Sequence, residues 1–140
     1  MKTIYTTAAK VTGGRNGHVK SDNGILDLEV RLPKAMGGES DNYPNPEMLF
    51  AAGYAACFDS ALNLIISKKG VDVGTTTVNA HVSIGMVTNG GYALAVTLDI
   101  NIPGVSIEEA KSLSEKAHEI CPYSNATRNN IEVTLNTTNQ

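Results

Sequence analysis

The stretch from Asn45 to Gly70 limits what this chain can fold into more than any other. Asn45 is a good N-cap, Pro46 suits the first helical position, and Glu47 puts an acid in the first turn. At the far end Lys68 and Lys69 suit a helix C-terminus, and Gly70 stops it. The sequence therefore predicts one long helix. Residues 48–66 are apolar on nearly every face, apart from Asp59, Ser60 and Asn63. Such a helix belongs in a protein interior or at a subunit interface.

Strand patterns flank it. Residues 3–12 are rich in Thr, Tyr and Val, and 17–20 and 25–31 alternate apolar with polar residues. Gly13-Gly14-Arg15-Asn16-Gly17 separates the first two runs, and Asn-Gly is a strong hairpin signal. Arg15 is thus expected at a hairpin tip, presented outward. Residues 75–87 and 92–102 read as a second, longer hairpin. Ser106-Ile107-Glu108-Glu109 opens a helix to about Ile120, and a last strand covers 131–136. The order β-β-β-α-β-β-α-β, with strands mostly in hairpins, describes one α+β domain over residues 1–140.

Composition narrows the function. With 140 residues, 41% hydrophobic and 18% charged, the chain can bury a real core. A net charge of -3, no Trp and only two Phe give no electrostatic or stacking reason to bind nucleic acid or an anionic membrane. Residues 1–7 lack the apolar core of a secretory signal, and unbroken apolar stretches fall short of the roughly 20 residues that span a bilayer. A cytoplasmic location is expected, where thiols are kept reduced.

The chain has two cysteines. Cys57 sits inside the apolar helix, in Leu49-Phe50-Ala51-Ala52-Gly53-Tyr54-Ala55-Ala56-Cys57-Phe58, and Cys121 opens Cys121-Pro122-Tyr123-Ser124-Asn125-Ala126-Thr127-Arg128. Free cysteines often simply pack. Two thiols in such settings also fit a redox-active pair. A thiol among Ala, Phe and Leu would need a cation to ionise, and Arg15, in its glycine-flanked turn, is the better-placed arginine. Glu47, a lone acid at the head of an apolar helix, could orient that guanidinium. A metal set of Cys57, His81, His118 and Cys121 lacks the usual paired-ligand spacing. A Cys-His hydrolase using His18, His81 or His118 lacks a nucleophile-elbow signature.

The run from Asn45 to Phe58 resembles the first signature of the organic hydroperoxide resistance proteins, within the OsmC-like superfamily, and Cys121 to Arg128 resembles the second. Gly13-Gly14-Arg15-x-Gly17 and Ser21-x-x-Gly24-x-Leu26-Asp27 are similar to the family's N-terminal pattern. Pro44, Met48 and Asn129 depart from the usual Thr, Gln and Gly. The resemblance implies an OsmC-like fold, an intertwined homodimer with a long buried central helix, and a cysteine-based organic hydroperoxide reductase. It implies that Cys57 is the peroxidatic and Cys121 the resolving cysteine, with Arg15 and Glu47 the activating pair. No bound cofactor or metal is expected. An external dithiol, a lipoylated protein, is the implied reductant.

Met48, Leu49, Phe50 and Phe58 around Cys57 form an expected apolar pocket that would favour alkyl or fatty-acid hydroperoxides. Pro122 ends the preceding helix, so Cys121 is expected on a segment able to move. A non-enzymatic thiol redox sensor, or a small-ligand binding protein, is the competing class. Assembly follows from helix geometry as well. Ten positions separate Glu47 from Cys57, about 15 Å of helical rise, so one straight helix cannot set both beside a single guanidinium. Two helices crossed antiparallel near Ala52 and Gly53 could.

Overall fold

A computed structural model describes all 140 residues. They separate into two compact units, residues 1–49 and 50–140. The first holds three short strands, β1 (Ala9–Thr12), β2 (His18–Ser21) and β3 (Asp27–Glu29), in an antiparallel sheet ordered β1-β2-β3. Val11 pairs with Val19, and Val19 with Leu28. The expected strand from residue 3 begins only at Ala9, because nothing beyond the Asp22 N–H to Ala8 carbonyl bond pairs the residues before it. This unit buries only Val19 and Val30 among its hydrophobic residues. Ile4, Tyr5, Val11, Ile25 and Leu26 are exposed.

Helix α1 (Pro46–Lys69) begins in the first unit and continues unbroken into the second. Asn45 Oδ1 accepts from the Met48 N–H at 2.9 Å, and the Gly70 N–H closes the far end on the Ile66 and Ser67 carbonyls. Both ends lie where the capping residues put them. In the second unit β4 (Thr77–Met86) and β5 (Tyr92–Asn101) pair in register from Thr77↔Asn101 to Met86↔Tyr92. The turn between them closes with the Val87 N–H on the Gly91 carbonyl. Next come α2 (Ile107–Ile120), capped by Ser106 Oγ on the Glu109 N–H, and a short α3 (Pro122–Thr127). Last is β6 (Glu132–Thr138), which joins β5 in parallel. A parallel neighbour requires a crossover, and α2 and α3 supply it.

β5 is the middle strand, and its alternate residues Val96, Leu98 and Ile100 form the floor of the core. Tyr54, Phe58, Ala61, Leu62 and Ile66 of α1 cover it, joined by Ala110, Leu113 and Ala117 of α2. The α1 residues recur at the three- and four-residue spacing of one helix face.

In the single chain Met48, Ala52, Ala56 and Leu64 lie exposed on the side of α1 away from that face. The whole helix also has the length and composition to cross a bilayer, unlike its unbroken apolar runs. One expectation is corrected at α3. Pro122 does end α2, but proline is equally suited to a first helical turn and here starts a new one. Asn129, in place of the family's usual glycine, follows α3 with φ 62°, a left-handed conformation that asparagine tolerates better than most residues.

Leu98→Ala should cost about 2–5 kcal/mol of stability, because the fully buried side chain leaves a cavity at the centre of the sheet. Urea denaturation of the parent and variant measures it.

Candidate active site

The turn between β1 and β2 is built to carry Arg15. Gly13 takes φ 80°, residues Gly14–Asn16 form one 3₁₀ turn, and a Cβ on Gly17 would sit 1.8 Å from the Thr12 carbonyl oxygen. Only glycine fits there. Arg15 stands at this tip, but its side chain does not point freely outward. Its Nη1 and Nη2 donate to Glu47 Oε2 and Oε1 at 2.7 and 2.6 Å, a two-toothed pairing with matched planes. Hydrogen bonds from Arg15 hold the Glu47 carboxyl below its ordinary value, against partial burial that works the other way. Arg31 is committed elsewhere: it donates to the Gly17 and Val30 carbonyls and to Glu29, and lies 5.0 Å above the Tyr43 ring.

The thiols meet in the second unit. Both are free, and Cys121 Sγ lies 3.8 Å from Cys57 Sγ. A disulfide needs about 2.0 Å, so closing the bond requires a shift of under two ångströms. Cys57 is half-buried on α1, whereas Cys121 is fully buried at the corner between α2 and α3. There its N–H closes α2 on the Ala117 carbonyl. The expected mobile segment is therefore a packed helical corner. Burial pushes the Cys57 thiol above its ordinary value; the Tyr123 backbone N–H pulls it down, and Cys121 adds to the rise. None of these influences is a cation, so this environment keeps the thiol protonated at neutral pH.

Several residues around the thiols carry no obvious mark in the sequence. Tyr54 on α1, fully buried, places its hydroxyl 3.0 Å from Ser124 Oγ and 3.1 Å from Thr127 Oγ1. His118 Nδ1 lies 2.8 Å from Ser124 Oγ. Arg128 bridges the corner, donating to the His118 carbonyl and to Asn125 Oδ1. Spacing could have found two of them: Tyr54 stands one helical turn before Cys57, and Ser124 one turn after Cys121.

The expected pocket residues part company. Phe58 is wholly buried in the core and lines nothing. Met48 is exposed and Leu49 half-buried. Phe50 packs edge-on to Tyr54, and 6.2 Å from the Tyr123 ring. Gly53 is where Tyr123 fits: a Cβ there would meet the Tyr123 hydroxyl at 3.0 Å, so this glycine serves its own chain. The alternative metal set does not assemble, since His81 pairs with Asp99 on the β4–β5 hairpin while His118 faces Ser124.

Two pairs thus stand out, Arg15 with Glu47 and Cys57 with Cys121, and the chain as a whole is similar to known proteins. The family described as OsmC-like protein matches residues 37–136. An organic hydroperoxide resistance protein of Xanthomonas axonopodis pv. citri (strain 306) is 43% identical over 135 residues, covering 96% of this chain and 94% of that protein. The organic hydroperoxide resistance protein OhrA of Bacillus subtilis (strain 168) is 46% identical over 134 residues, covering 94% of each. Among solved structures, an organic hydroperoxide resistance protein from Elizabethkingia anophelis, with crystallant-derived thiocyanate bound, superposes with a TM-score of 0.97 at 65% identity over 100% of both chains. OhrB of Bacillus subtilis superposes with a TM-score of 0.87 at 39% identity, covering 96% of this chain and 98% of that one. By sequence and by fold, the chain belongs to the organic hydroperoxide resistance protein family of the OsmC-like proteins.

Proposed function

We propose that this protein is a thiol peroxidase that reduces organic hydroperoxides to alcohols. The observation that carries this reading is the placement of its only two thiols, 3.8 Å apart, with one reachable and the other sealed. A soluble oxidant meets Cys57 first. The Cys57 thiolate attacks the distal peroxide oxygen, the O–O bond breaks, and the alkoxide leaves as an alcohol after taking a proton. Cys57 is left as a sulfenic acid. Cys121 condenses with it to a disulfide and releases water, and an external dithiol of the lipoyl type restores both thiols. Relatives named for organic hydroperoxide resistance support the substrate class. The rings of Phe50 and Tyr123 support it too, since an alkyl chain gains about 0.8 kcal/mol per methylene buried on such surfaces.

The second part of the reading is that the site is completed by a second copy of the chain. Cys57 needs a cation that its surroundings lack, and the built guanidinium is Arg15, held by Glu47. Glu47 and Cys57 stand ten positions apart on one unbroken helix, about 15 Å of rise. Two α1 helices packed antiparallel along Met48, Ala52 and Ala56 would bring Glu47 and Arg15 of one copy to Cys57 of the other. Such packing would also cover the exposed stripe on α1. Residues 1–49, with two buried hydrophobics and eight large exposed ones, need a partner surface as well.

Given dihydrolipoamide, the protein should consume many equivalents of cumene hydroperoxide; a single equivalent would identify a sensor instead. Cys57→Ser should abolish turnover, while Cys121→Ser should react once and leave a sulfenic acid that dimedone traps, read by mass spectrometry.

Arg15→Ala should slow the first oxidation at neutral pH at least tenfold and move its pH dependence upward, as expected when a thiolate loses its cation. The Arg15–Glu47 pair has an acid limit. Because the Glu47 carboxyl is held below its ordinary value of 4.5, its stabilising contribution is present above that value and lost as pH falls through the lowered one. The melting-temperature difference between the parent and Glu47→Gln should therefore shrink in acid.

Sedimentation should give a dimer. Mixing unfolded Arg15→Ala and Cys57→Ser chains and refolding them together should restore about a quarter of parent activity, because half the dimers are then mixed and each holds one intact site. No recovery would place Arg15 and Cys57 of each site in one chain.

A further inference from the structure

Cys57 and Cys121 form one of two rungs between α1 and the α2–α3 corner. Tyr54 precedes Cys57 by three residues and Ser124 follows Cys121 by three, so the second rung lies one helical turn from the first. It is polar, and its members are buried: Tyr54 and Ser124 fully, Thr127 at 5% exposure.

Counting protons fixes its direction. The Thr127 hydroxyl donates to the Tyr123 and Ser124 carbonyls at 3.0 and 3.1 Å, so its single proton is committed. Tyr54 must then donate to Thr127, Ser124 to Tyr54, and His118 Nδ1–H to Ser124. This is the one order in which every contact holds a proton. Burial, reinforced by the charge of Arg128, lowers the His118 pKa and favours the neutral ring. A protonated ring would still donate at Nδ1, so the chain of bonds survives in either charge state.

A buried polar chain adds little stability over a well-packed apolar one, but it tolerates few alternative geometries. We propose that the Tyr54–Ser124 rung is a positioning device for disulfide formation. It sets the register of α3 on α1 and so holds the Cys121 sulfur opposite Cys57. This inference rests on the peroxidase reading above. In the step concerned, the Cys121 sulfur attacks the sulfur of the Cys57 sulfenic acid. The S–S bond forms, the S–O bond breaks, and the departing hydroxide takes the Cys121 proton and leaves as water. Tyr54 and Ser124 act through the placement of Cys121, as positioning residues.

The test separates the two steps by stopped flow with one equivalent of cumene hydroperoxide. Tyr54→Phe keeps the ring and its packing against Phe50 and Tyr123 but removes the hydroxyl; Ser124→Ala cuts the same bond from the other side. In each folded variant the first oxidation should run at the parent's rate. Disulfide closure should slow about tenfold, the scale of one buried hydrogen bond. Dimedone should then trap Cys57, and excess hydroperoxide should drive more of it to sulfinic acid than in the parent. The double variant should slow closure by less than the product of the two single effects, since both variants lose the Tyr54–Ser124 bond. Closure at the parent's rate, or an equal slowing of both steps, would overturn the inference. If the parent itself forms no Cys57–Cys121 disulfide, the peroxidase reading falls and takes this one with it.

Discussion

The packing of one face of α1 on the middle strand β5 underlies everything else in residues 50–140. Tyr54, Phe58, Leu62 and Ile66 share one buried cluster with Val96, Leu98 and Ile100. Burial of this kind contributes on the order of 1.5–3 kcal/mol per large side chain. Because the helix is clamped along that line, the residues beside it inherit fixed places. Cys57 directly precedes Phe58 in sequence and lies at the margin of the covered face, half in water and half in the core. A residue on the covered face would be sealed, and one on the far side could not approach Cys121. The half-open place of Cys57 is a consequence of angle around the helix.

Electrostatics and packing make opposite demands at that margin. The core favours an uncharged sulfur, and the nearest relief is one backbone N–H from Tyr123. The chain also builds a bidentate Arg15–Glu47 pair on the first turn of the same helix and the tip of a hairpin. A guanidinium already neutralised by a carboxylate is a weaker cation than a free one, but it is a placed one. Freezing its direction removes entropy that a loose arginine would lose on meeting any anionic partner.

Much of this was legible in the residues. The caps at Asn45, Gly70 and Ser106 and the alternation of 75–87 and 92–102 gave α1, α2 and the β4–β5 hairpin to within a residue or two, because each rests on local backbone chemistry, whereas β1 starts well after its pattern does. Family likeness, more than spacing, singled out Arg15, Glu47, Cys57 and Cys121. The misses were of another kind. An all-apolar helix does not say which face its own chain covers, so the stripe at Met48, Ala52, Ala56 and Leu64 is visible only in the fold. Pro122 carries two opposite signals, end and beginning, and only the packing of Tyr123, Ser124 and Thr127 decides between them. Phe58 was read as pocket lining because it adjoins Cys57, yet a step of 100° around the helix sends it into the core. The hydroxyls of Tyr54, Ser124 and Thr127 are unremarkable letters until three-dimensional contact joins them.

The parallel pairing of β5 with β6 bears on how the fold is reached. The β4–β5 hairpin and both long helices can form from contacts close in sequence, but Ala95 meets Glu132 only after the whole α2–α3 crossover has been looped back. Closing that loop costs chain entropy before any ladder bond repays it. The thiol corner lies inside the loop. Until β6 docks, Cys121 has no fixed geometry, and a nascent or partly unfolded chain carries two ordinary cysteines. Their proximity is a property of the finished sheet, and native-state amide exchange in β6 is expected to report when the corner is intact.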